Sequence, residues 1–390
     1  MSAPSPPFAV SHHYVPEWYQ HRFVDPSVHP HKLHYLDLRP EKVMHPDGTF
    51  HYRRSVRHLG PKNCFQSDHL YSLRFGDQVT DYLERIFFGK IDNDGKRAVE
   101  VFTDYEISDA AHENFEAFLR YMDAQKWRTP KGLDFLQVLS KRKGQQNALL
   151  LLSSYFQMHC TMWTESVWEV LYCDNSSTKF IISDHPVTVY NKGIFPSAPL
   201  GLYPLDAPIH FVGTHTIFPL NLNRCLVMTN LGYVRNPQIN VMQDRVNARS
   251  FDDALFDLRK IQTNRQINEE YVTAINYVTK TRARRYVAAA KKDWLYPENA
   301  CGRTLWKKLG GKYFLMPDPR KVTFHTQTLV GYEDGRAWGT DEYGRRHARD
   351  DDPDVKRLRE IEWNAFQKSK KSWDTTFGEL SLEEFRKAMS

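Results

Sequence analysis

Two adjacent histidines near the start of the chain are the first candidates for chemistry. His12 and His13 open a region in which 10 of the 17 histidines lie within the first 69 residues. Because imidazole titrates near neutral pH, the pair could supply a general acid and base or two metal ligands. Neighbouring side chains on an extended strand point to opposite faces, so we expect only one of them to face a given cleft. The alternative is structural, with one ring buried and hydrogen-bonded and the other capping a turn.

Asp184 is the strongest carboxylate candidate. It follows the apolar residues 180–182 and precedes Pro186 by two positions. Catalytic groups are often displayed where a buried strand ends, which favours a catalytic role beside one of the histidines. Aspartate before a proline also caps turns. The sequence leaves both roles open, and we predict His12, His13 and Asp184 as the catalytic set.

Two polar residues on a predicted helix could hold an anion. Gln125 and Arg128 are one helical turn apart, close to a helix end predicted at Thr129-Pro130. Arginine suits a bidentate grip on phosphate or carboxylate. Arg128 could equally form an interior ion pair with Asp184.

A second pair of candidates lies on a later predicted helix. Arg282 falls on the apolar stripe that includes Ile275 and Val278, where a solvated residue is unusual. A buried guanidinium needs an anionic partner, from the protein or from a ligand. We therefore predict that Arg282 and Asn276, with Gln125 and Arg128, bind substrate.

The elements that must position these residues follow an α+β order. Asp92-Asn93-Asp94-Gly95 lacks the acidic residues that a calcium loop needs at its two ends, and a turn between helices is predicted instead. In chain order the patterns predict an extended segment at 12–70 with a hairpin at 45–48, helices at 77–156, an antiparallel sheet at 167–229 with a hairpin around 175–177, and a packed helix at 268–291.

Changes in composition divide the chain into three parts. Residues 1–10 form a Pro- and Ser-rich leader that we expect to be disordered. Residues 11–295 form the main α+β domain. Residues 296–390 form a C-terminal extension with a hairpin near 331–344 and helices at 354–371 and after 381, and the first of these helices could mediate homo-oligomerisation.

Charge and cysteine usage limit the possible partners and compartment. The net charge of +6 permits a polyanionic partner without demanding one. The five cysteines form no CxxC pair, and no secretory signal precedes them, so we expect a reduced, cytoplasmic protein. The longest apolar run is far too short to cross a membrane.

Five ordered motifs carry a family resemblance. They are HHYVPEWYQHRF (12–23), QKWRTP (125–130), FIISDHPV (180–187), IFPLN (217–221) and AINYV (274–278). Together they resemble an uncharacterised, mainly bacterial family known as domain of unknown function 4238, over about residues 12–290. The resemblance implies relatives in fold and brings no established reaction.

Two functions of different classes remain open from the sequence. The first is an intracellular hydrolase of a phosphate-containing or nucleic-acid substrate, such as a phosphodiesterase or nuclease, with His/Asp acid–base chemistry and arginine binding the anion. The second is a non-enzymatic binding or regulatory protein whose polar motifs form a structural network. Familiar phosphate-loop, dinucleotide, GxSxG and HExxH patterns are missing, and the sequence names no cofactor or metal.

Overall fold

A computed structural model of the chain confirms the α+β class. It describes residues 11–75, 78–80, 87–141, 144–236, 238–245, 256, 258–301 and 306–312, and, further on, 328–331, 337–340, 353, 357 and 364. The predicted leader at 1–10 and the predicted helix after 381 lie outside these residues. So does most of the predicted helix at 354–371, and the two helices of the extension therefore stay predictions.

The helices lie mainly in the middle of the chain. Their bounds are α1 Glu17–Gln20, α2 Gly89–Thr103, α3 Asp109–Trp127, α4 Pro130–Leu139, α5 Gln145–Tyr155, α6 Met158–Thr164, α7 Leu231–Arg235, α8 Glu269–Arg282, α9 Glu298–Cys301 and α10 Trp306–Lys312. The predicted helical region at 77–156 is confirmed from residue 89 onward, whereas residues 78–80 form a strand. Asp92 to Gly95 lie inside α2, so the predicted turn there is wrong.

The strands flank this helical region in sequence. Their bounds are β1 Ser11–His13, β2 Leu33–Asp37, β3 Lys42–Met44, β4 Phe50–Tyr52, β5 Val56–Leu59, β6 Gln66–Asp68, β7 Leu73–Phe75, β8 Gln78–Thr80, β9 Ser166–Tyr172, β10 Ile182–Ser183, β11 Thr188–Asn191, β12 Thr214–Pro219, β13 Arg224–Asn230, β14 Gln262–Gln266, β15 Tyr286–Ala289, β16 Thr328–Gly331 and β17 Ala337–Thr340.

A five-stranded sheet forms the centre of the fold, in the order β11-β12-β13-β9-β14. Its first four strands pair antiparallel, as predicted for this region, and β14 joins β9 in parallel. Nearly all residues of these four strands are buried, because the sheet lies between other layers rather than facing water on one side.

A second sheet has the order β10-β15-β2-β5. β10 pairs with β15, which follows it by about 100 residues and begins where helix was predicted to continue to residue 291. The predicted hairpin around 175–177 is therefore wrong, since β9 and the segment that leads into β10 belong to different sheets. The hairpins predicted at 45–48 and near 331–344 are confirmed by the pairs β3–β4 and β16–β17.

The break between α3 and α4 positions the residues of most interest. Thr129 caps α4 by accepting a hydrogen bond from the Gly132 amide at 3.2 Å, and Pro130 occupies the first helical position. A side chain on Gly132 would overlap the carbonyl oxygens of Lys126 and Trp127. Glycine here lets α4 begin directly against the last turn of α3.

Candidate active site

The two opening histidines make different contacts. The His12 ring is fully buried, stacks on Tyr71, and accepts the Tyr71 amide at Nδ1 at 3.0 Å. The His13 Nε2 atom contacts the Lys62 carbonyl at 2.9 Å. The two side chains thus diverge from β1, as strand geometry requires.

Asp184 binds backbone amides. Its Oδ1 accepts from Arg284 N at 2.8 Å, and its Oδ2 accepts from Arg285 N at 2.6 Å and Tyr286 N at 2.8 Å. Burial raises the pKa of this carboxyl group, while the three amide donors act in the opposite direction. These contacts give Asp184 a structural role at the start of β15.

The structure brings Gln125 and Arg128 together, and it pairs Arg128 with Asp92 rather than with Asp184. The Arg128 guanidinium donates to both carboxylate oxygens of Asp92 on α2, at 2.8 and 3.0 Å. With its amide oxygen turned toward the guanidinium, Gln125 accepts from Arg128 Nε at 2.9 Å. Arg128 is fully buried, so its charge is used inside the protein.

Asn276 and Arg282, on α8, have distinct partners. Asn276 donates to the Lys179 carbonyl at 2.8 Å and accepts from the Ile181 amide at 3.2 Å, which fixes the segment before β10. Arg282 finds the anionic partner that its position requires, because its Nε lies 3.0 Å from Asp206 Oδ1.

Three cations converge on the carboxylate of Asp206. Lys131 donates to Oδ1 at 2.6 Å, Lys126 donates to Oδ2 at 2.9 Å, and Arg282 donates to Oδ1. Burial alone would raise the pKa of Asp206, but the three cations hold it well below its usual range. Asp206 is therefore ionised and still leaves an excess of positive charge. Lys131 also lies close enough to Asp184 to lower the pKa of that carboxyl group, but Asp184 is already bound to backbone amides.

A chain of hydrogen bonds orients Asp206. The Thr129 hydroxyl contacts His185 Nδ1 at 2.8 Å, and His185 Nε2 lies 3.2 Å from Asp206 Oδ2. Because the ionised Asp206 carboxylate can only accept, we assign the His185 proton to Nε2, so that Nδ1 accepts from the Thr129 hydroxyl; Lys126 Nζ also lies 3.3 Å from Nε2. Burial lowers the pKa of His185 to about 3, so the ring is neutral and adds no charge.

A second histidine–carboxylate pair lies nearby. His159 Nδ1 lies 2.7 Å from Asp123 Oδ1, and both side chains are almost fully buried. Asp123 also accepts from Trp127 Nε1 at 3.2 Å and from the Gln157 amide at 2.5 Å, which keeps it an acceptor for the Nδ1 proton. Burial lowers the pKa of His159, with Asp123 opposing, so the ring is neutral at pH 7.

The free nitrogen of His159 is its Nε2. Since Nδ1 is bound to Asp123, Nε2 carries the lone pair, and no partner for it occurs among the described residues. Lys126 and Asp206 lie close enough for their charges to act on the His159 pKa. A carboxylate on Nδ1 with Nε2 left open is the arrangement of a general base.

One cavity of about 380 Å³ contains these polar groups. The charged and histidine side chains in its lining are Lys126, Lys131, His159, His185, Asp206 and His210. The other lining residues come from α3 to α6 and from residues 200–210. The volume lies in the range of small-molecule sites, which are mostly apolar with a few convergent polar groups.

The described residues offer no obvious metal site. Within them, no group of three or more histidine, cysteine or acidic side chains converges as metal ligands would. In the same part of the chain, no helix is long and apolar enough to cross a membrane.

Two of the sequence motifs contribute residues to the cavity lining, but most of the lining residues lie outside the predicted set. Lys126 and Trp127 lie within QKWRTP, and His185 follows Asp184 in FIISDHPV. Arg282 was the useful signal, because a guanidinium on an apolar stripe implied a buried anion. Asp123, His159 and Asp206 lie outside the five motifs, and no spacing indicated that they meet these groups.

Comparisons with known proteins identify a family without an assigned activity. No curated protein and no solved structure matches the chain. A family model described as protein of unknown function (DUF4238) matches residues 11–293, more than half of the chain, and the chain belongs to that family.

Proposed function

We propose that the protein is a hydrolase of a small phosphate-containing substrate that binds in this cavity. One observation carries the proposal: His159, whose Nδ1 is bound to the buried carboxylate of Asp123, lines the same cavity as Lys126 and Lys131. A general base and an excess of positive charge are the two things that hydrolysis of a phosphate ester needs from a protein.

His159 would activate the attacking water. Its Nε2 accepts a proton as the water oxygen forms a bond to phosphorus, and Asp123 stabilises the imidazolium that results. The ester P–O bond breaks, and the leaving oxygen takes a proton from Lys131, whose ammonium pKa burial lowers to about 7. His159 then returns its proton to solvent and Lys131 regains one.

The cations bind and stabilise the phosphoryl group. Lys126, Lys131 and Arg282 share one carboxylate, so a bound dianion would balance the remaining charge. Charge that develops on the phosphoryl oxygens in the transition state meets ammonium groups already in place. Arg282 is held by the protein and would act through Asp206.

A small molecule fits better than a nucleic acid chain. A cavity of about 380 Å³ holds a drug-sized ligand, whereas a polymer needs a groove that follows its backbone. The predicted nucleic-acid substrate is thus the less favoured form of the same hypothesis. An intracellular location remains part of the proposal, supported by five free, buried cysteines.

A non-enzymatic protein is the second candidate, because several predicted site residues are used structurally. Arg128, Asp184 and Asn276 each make buried contacts with protein partners. Such a network supports a fold as readily as a reaction. It does not account for the open nitrogen of His159 in the same cavity as two lysines.

Turnover of chromogenic esters tests the hydrolase. We expect the wild-type protein to release nitrophenol from para-nitrophenyl phosphate or from its bis-ester at pH 7. His159→Gln removes the base, so kcat should fall by about 10²–10⁴-fold, the usual contribution of general base catalysis. Circular dichroism and thermal melting of each variant would check that it is folded.

His215→Gln provides the matched control. His215 is also buried, with its Nδ1 bound to Thr229 at 3.0 Å, but it lies outside the cavity lining. The His215→Gln variant should be less stable than the wild type and should have the wild-type kcat. An unchanged kcat in His159→Gln, or no turnover of either ester by the wild type, would contradict the proposed hydrolase.

A further inference from the structure

The cavity lining is mostly apolar. Alongside the lysines and histidines it includes Trp127, Phe135, Tyr155 and Met162. Trp127 is almost fully buried, with its ring packed on Phe135 and Tyr155 at centroid distances of 5.9 and 5.8 Å. A ligand whose anionic group reaches the lysines must therefore also contact this apolar surface.

Apolar side chains that line the cavity are also open to solvent. Leu139, Met158 and Leu200 are 44%, 39% and 46% exposed, and all three line the cavity. They come from α4, α6 and the loop before β12, so three separate elements place an exposed apolar side chain at one site. Isolated exposed apolar residues are common, whereas a continuous set that leads into a cavity indicates a binding surface.

We propose that the substrate is an amphiphile, a phosphate ester of an apolar alcohol. This inference rests on the proposed function and adds the substrate class. The phosphate lies at Lys126 and Lys131, the apolar group extends along Trp127 and Tyr155, and its end contacts Leu139, Met158 and Leu200.

A polar alcohol fits the same walls poorly. Hydroxyl groups placed against Trp127, Phe135 and Met162 would lose water and gain few hydrogen bonds, and this costs binding free energy. Methylene groups at the same positions gain from burial. The apolar lining thus discriminates against sugar and glycerol phosphates and favours alkyl or aryl phosphates.

Calorimetric titration with a homologous series tests this inference. The probes are inorganic phosphate, ethyl, propyl, butyl and hexyl phosphate, and glycerol 3-phosphate as the polar match to propyl phosphate. Each methylene that becomes buried should lower Kd about fourfold. Propyl phosphate should bind more tightly than glycerol 3-phosphate, and hexyl phosphate should bind most tightly.

Substitution at the exposed apolar residues provides the local test. Leu139→Ser should weaken hexyl phosphate severalfold and leave ethyl phosphate unchanged, because only a long chain reaches it. Val138→Ser is the matched control, since Val138 is 51% exposed on the same helix and does not line the cavity. Val138→Ser should leave the Kd of hexyl phosphate and the Kd of ethyl phosphate unchanged.

The outcomes separate the two proposals. If all the esters and inorganic phosphate bind with equal affinity, the amphiphilic substrate is excluded while the anion site stands. If glycerol 3-phosphate binds more tightly than propyl phosphate, the inference is overturned in the same way. If no probe binds, the proposed function and the inference fail together.

Discussion

Lys131 is a buried ammonium group that shares its carboxylate with two other cations. Its Nζ lies 2.6 Å from Asp206 Oδ1 and 2.8 Å from the Arg282 carbonyl oxygen. Burial lowers its pKa to about 7; Asp206 opposes this shift, and the charges of Arg282 and Lys126 add to it. A lysine in this state can give up a proton near neutral pH, which is the property the proposed general acid needs.

The lowered pKa predicts a pH-dependent stability. Between pH 7 and the ordinary lysine pKa of 10.5, the unfolded chain holds a proton that folded Lys131 has released. The free energy of unfolding therefore rises with pH in this window. Lys131→Met removes the dependence, so the wild type should gain on the order of a few kcal/mol relative to this variant between pH 7 and pH 9.5. Urea denaturation at the two pH values measures the difference.

The exposed Lys141 provides the control for this measurement. Lys141→Met should follow the wild type at both pH values, because a solvated lysine has no buried charge to lose. Equal stability gains in the wild type and in Lys131→Met would show that Lys131 keeps an ordinary pKa.

Single positions separate the predicted site residues from those that line the cavity. In QKWRTP we predicted Gln125 and Arg128. Arg128 binds Asp92 and Gln125 binds Arg128, whereas Lys126 and Trp127 line the cavity. In FIISDHPV we predicted Asp184, and the cavity is lined by His185. Periodicity predicts which residues share a face. It does not predict which face meets a cavity, because that depends on segments far away in sequence.

At the scale of elements, the loop between β11 and β12 closes one side of the cavity. We call residues 192–213 the roof loop. Arg282 on α8 binds it at three points, which are Asp206, the Gly201 carbonyl at 2.8 Å and the Leu205 carbonyl at 2.5 Å. Arg284 adds a bond to the Tyr203 hydroxyl at 2.9 Å. The end of α8 thus adds several bonds to the roof loop, beside those that Lys126 on α3 and Lys131 on α4 make to Asp206.

Loss of Arg282 should loosen the roof loop without unfolding the protein. Arg282→Met leaves Asp206 with its two lysines but removes the donors to the Gly201 and Leu205 carbonyls. Hydrogen bonds from a charged group contribute about 1.5–3 kcal/mol each, so amide exchange in residues 199–208 should accelerate at least about tenfold. Hydrogen exchange with mass spectrometry measures this, and the Kd of hexyl phosphate should rise with it.

Lys280 on the same helix provides the comparison. Lys280→Met removes contacts with the Leu295 carbonyl and Glu298, none of which touch the roof loop. Exchange in residues 199–208 should stay at the wild-type rate. Equal acceleration in the two variants would show that the end of α8, rather than Arg282, holds the loop.

Local sequence signals predicted some elements correctly, but they did not predict which distant strands pair. The boundary between α3 and α4 followed from Thr129-Pro130, and the β3–β4 hairpin followed from Asp47-Gly48. The β10–β15 pair joins Ile182 to Ala288 and carries no local signal. Alternating apolar residues predict strands but not which strand each one pairs with. For this reason β9 and residues 179–182, which are neighbours in sequence, have the pattern of a hairpin without forming one.

At the scale of the whole molecule, buried polar side chains join the layers. Asp184 ties the segment after β10 to β15, and Asn276 ties α8 to the segment before β10. Arg128 joins α3 to α2 and accepts the Tyr71 hydroxyl at its carbonyl, 2.8 Å away. The predicted site residues therefore have a shared property. They are polar groups in apolar surroundings. Structural and catalytic residues both have this property, so the sequence alone does not distinguish them.

Arg128→Met distinguishes these two roles. The substitution leaves the Asp92 carboxylate without its bidentate partner and removes the contact of the guanidinium with the Phe88 ring. Breaking a buried ion pair costs about 3–5 kcal/mol, and the partial exposure of Asp92 places the expected loss near the lower end. Urea denaturation should show this loss, while kcat and KM for para-nitrophenyl phosphate stay at wild-type values.

The double variant Arg128→Met, Asp92→Leu should recover part of the stability, because no carboxylate remains unpaired. A large rise in KM with unchanged stability would instead make Arg128 a substrate-binding residue. It would contradict the structural role of Arg128 in joining α3 to α2.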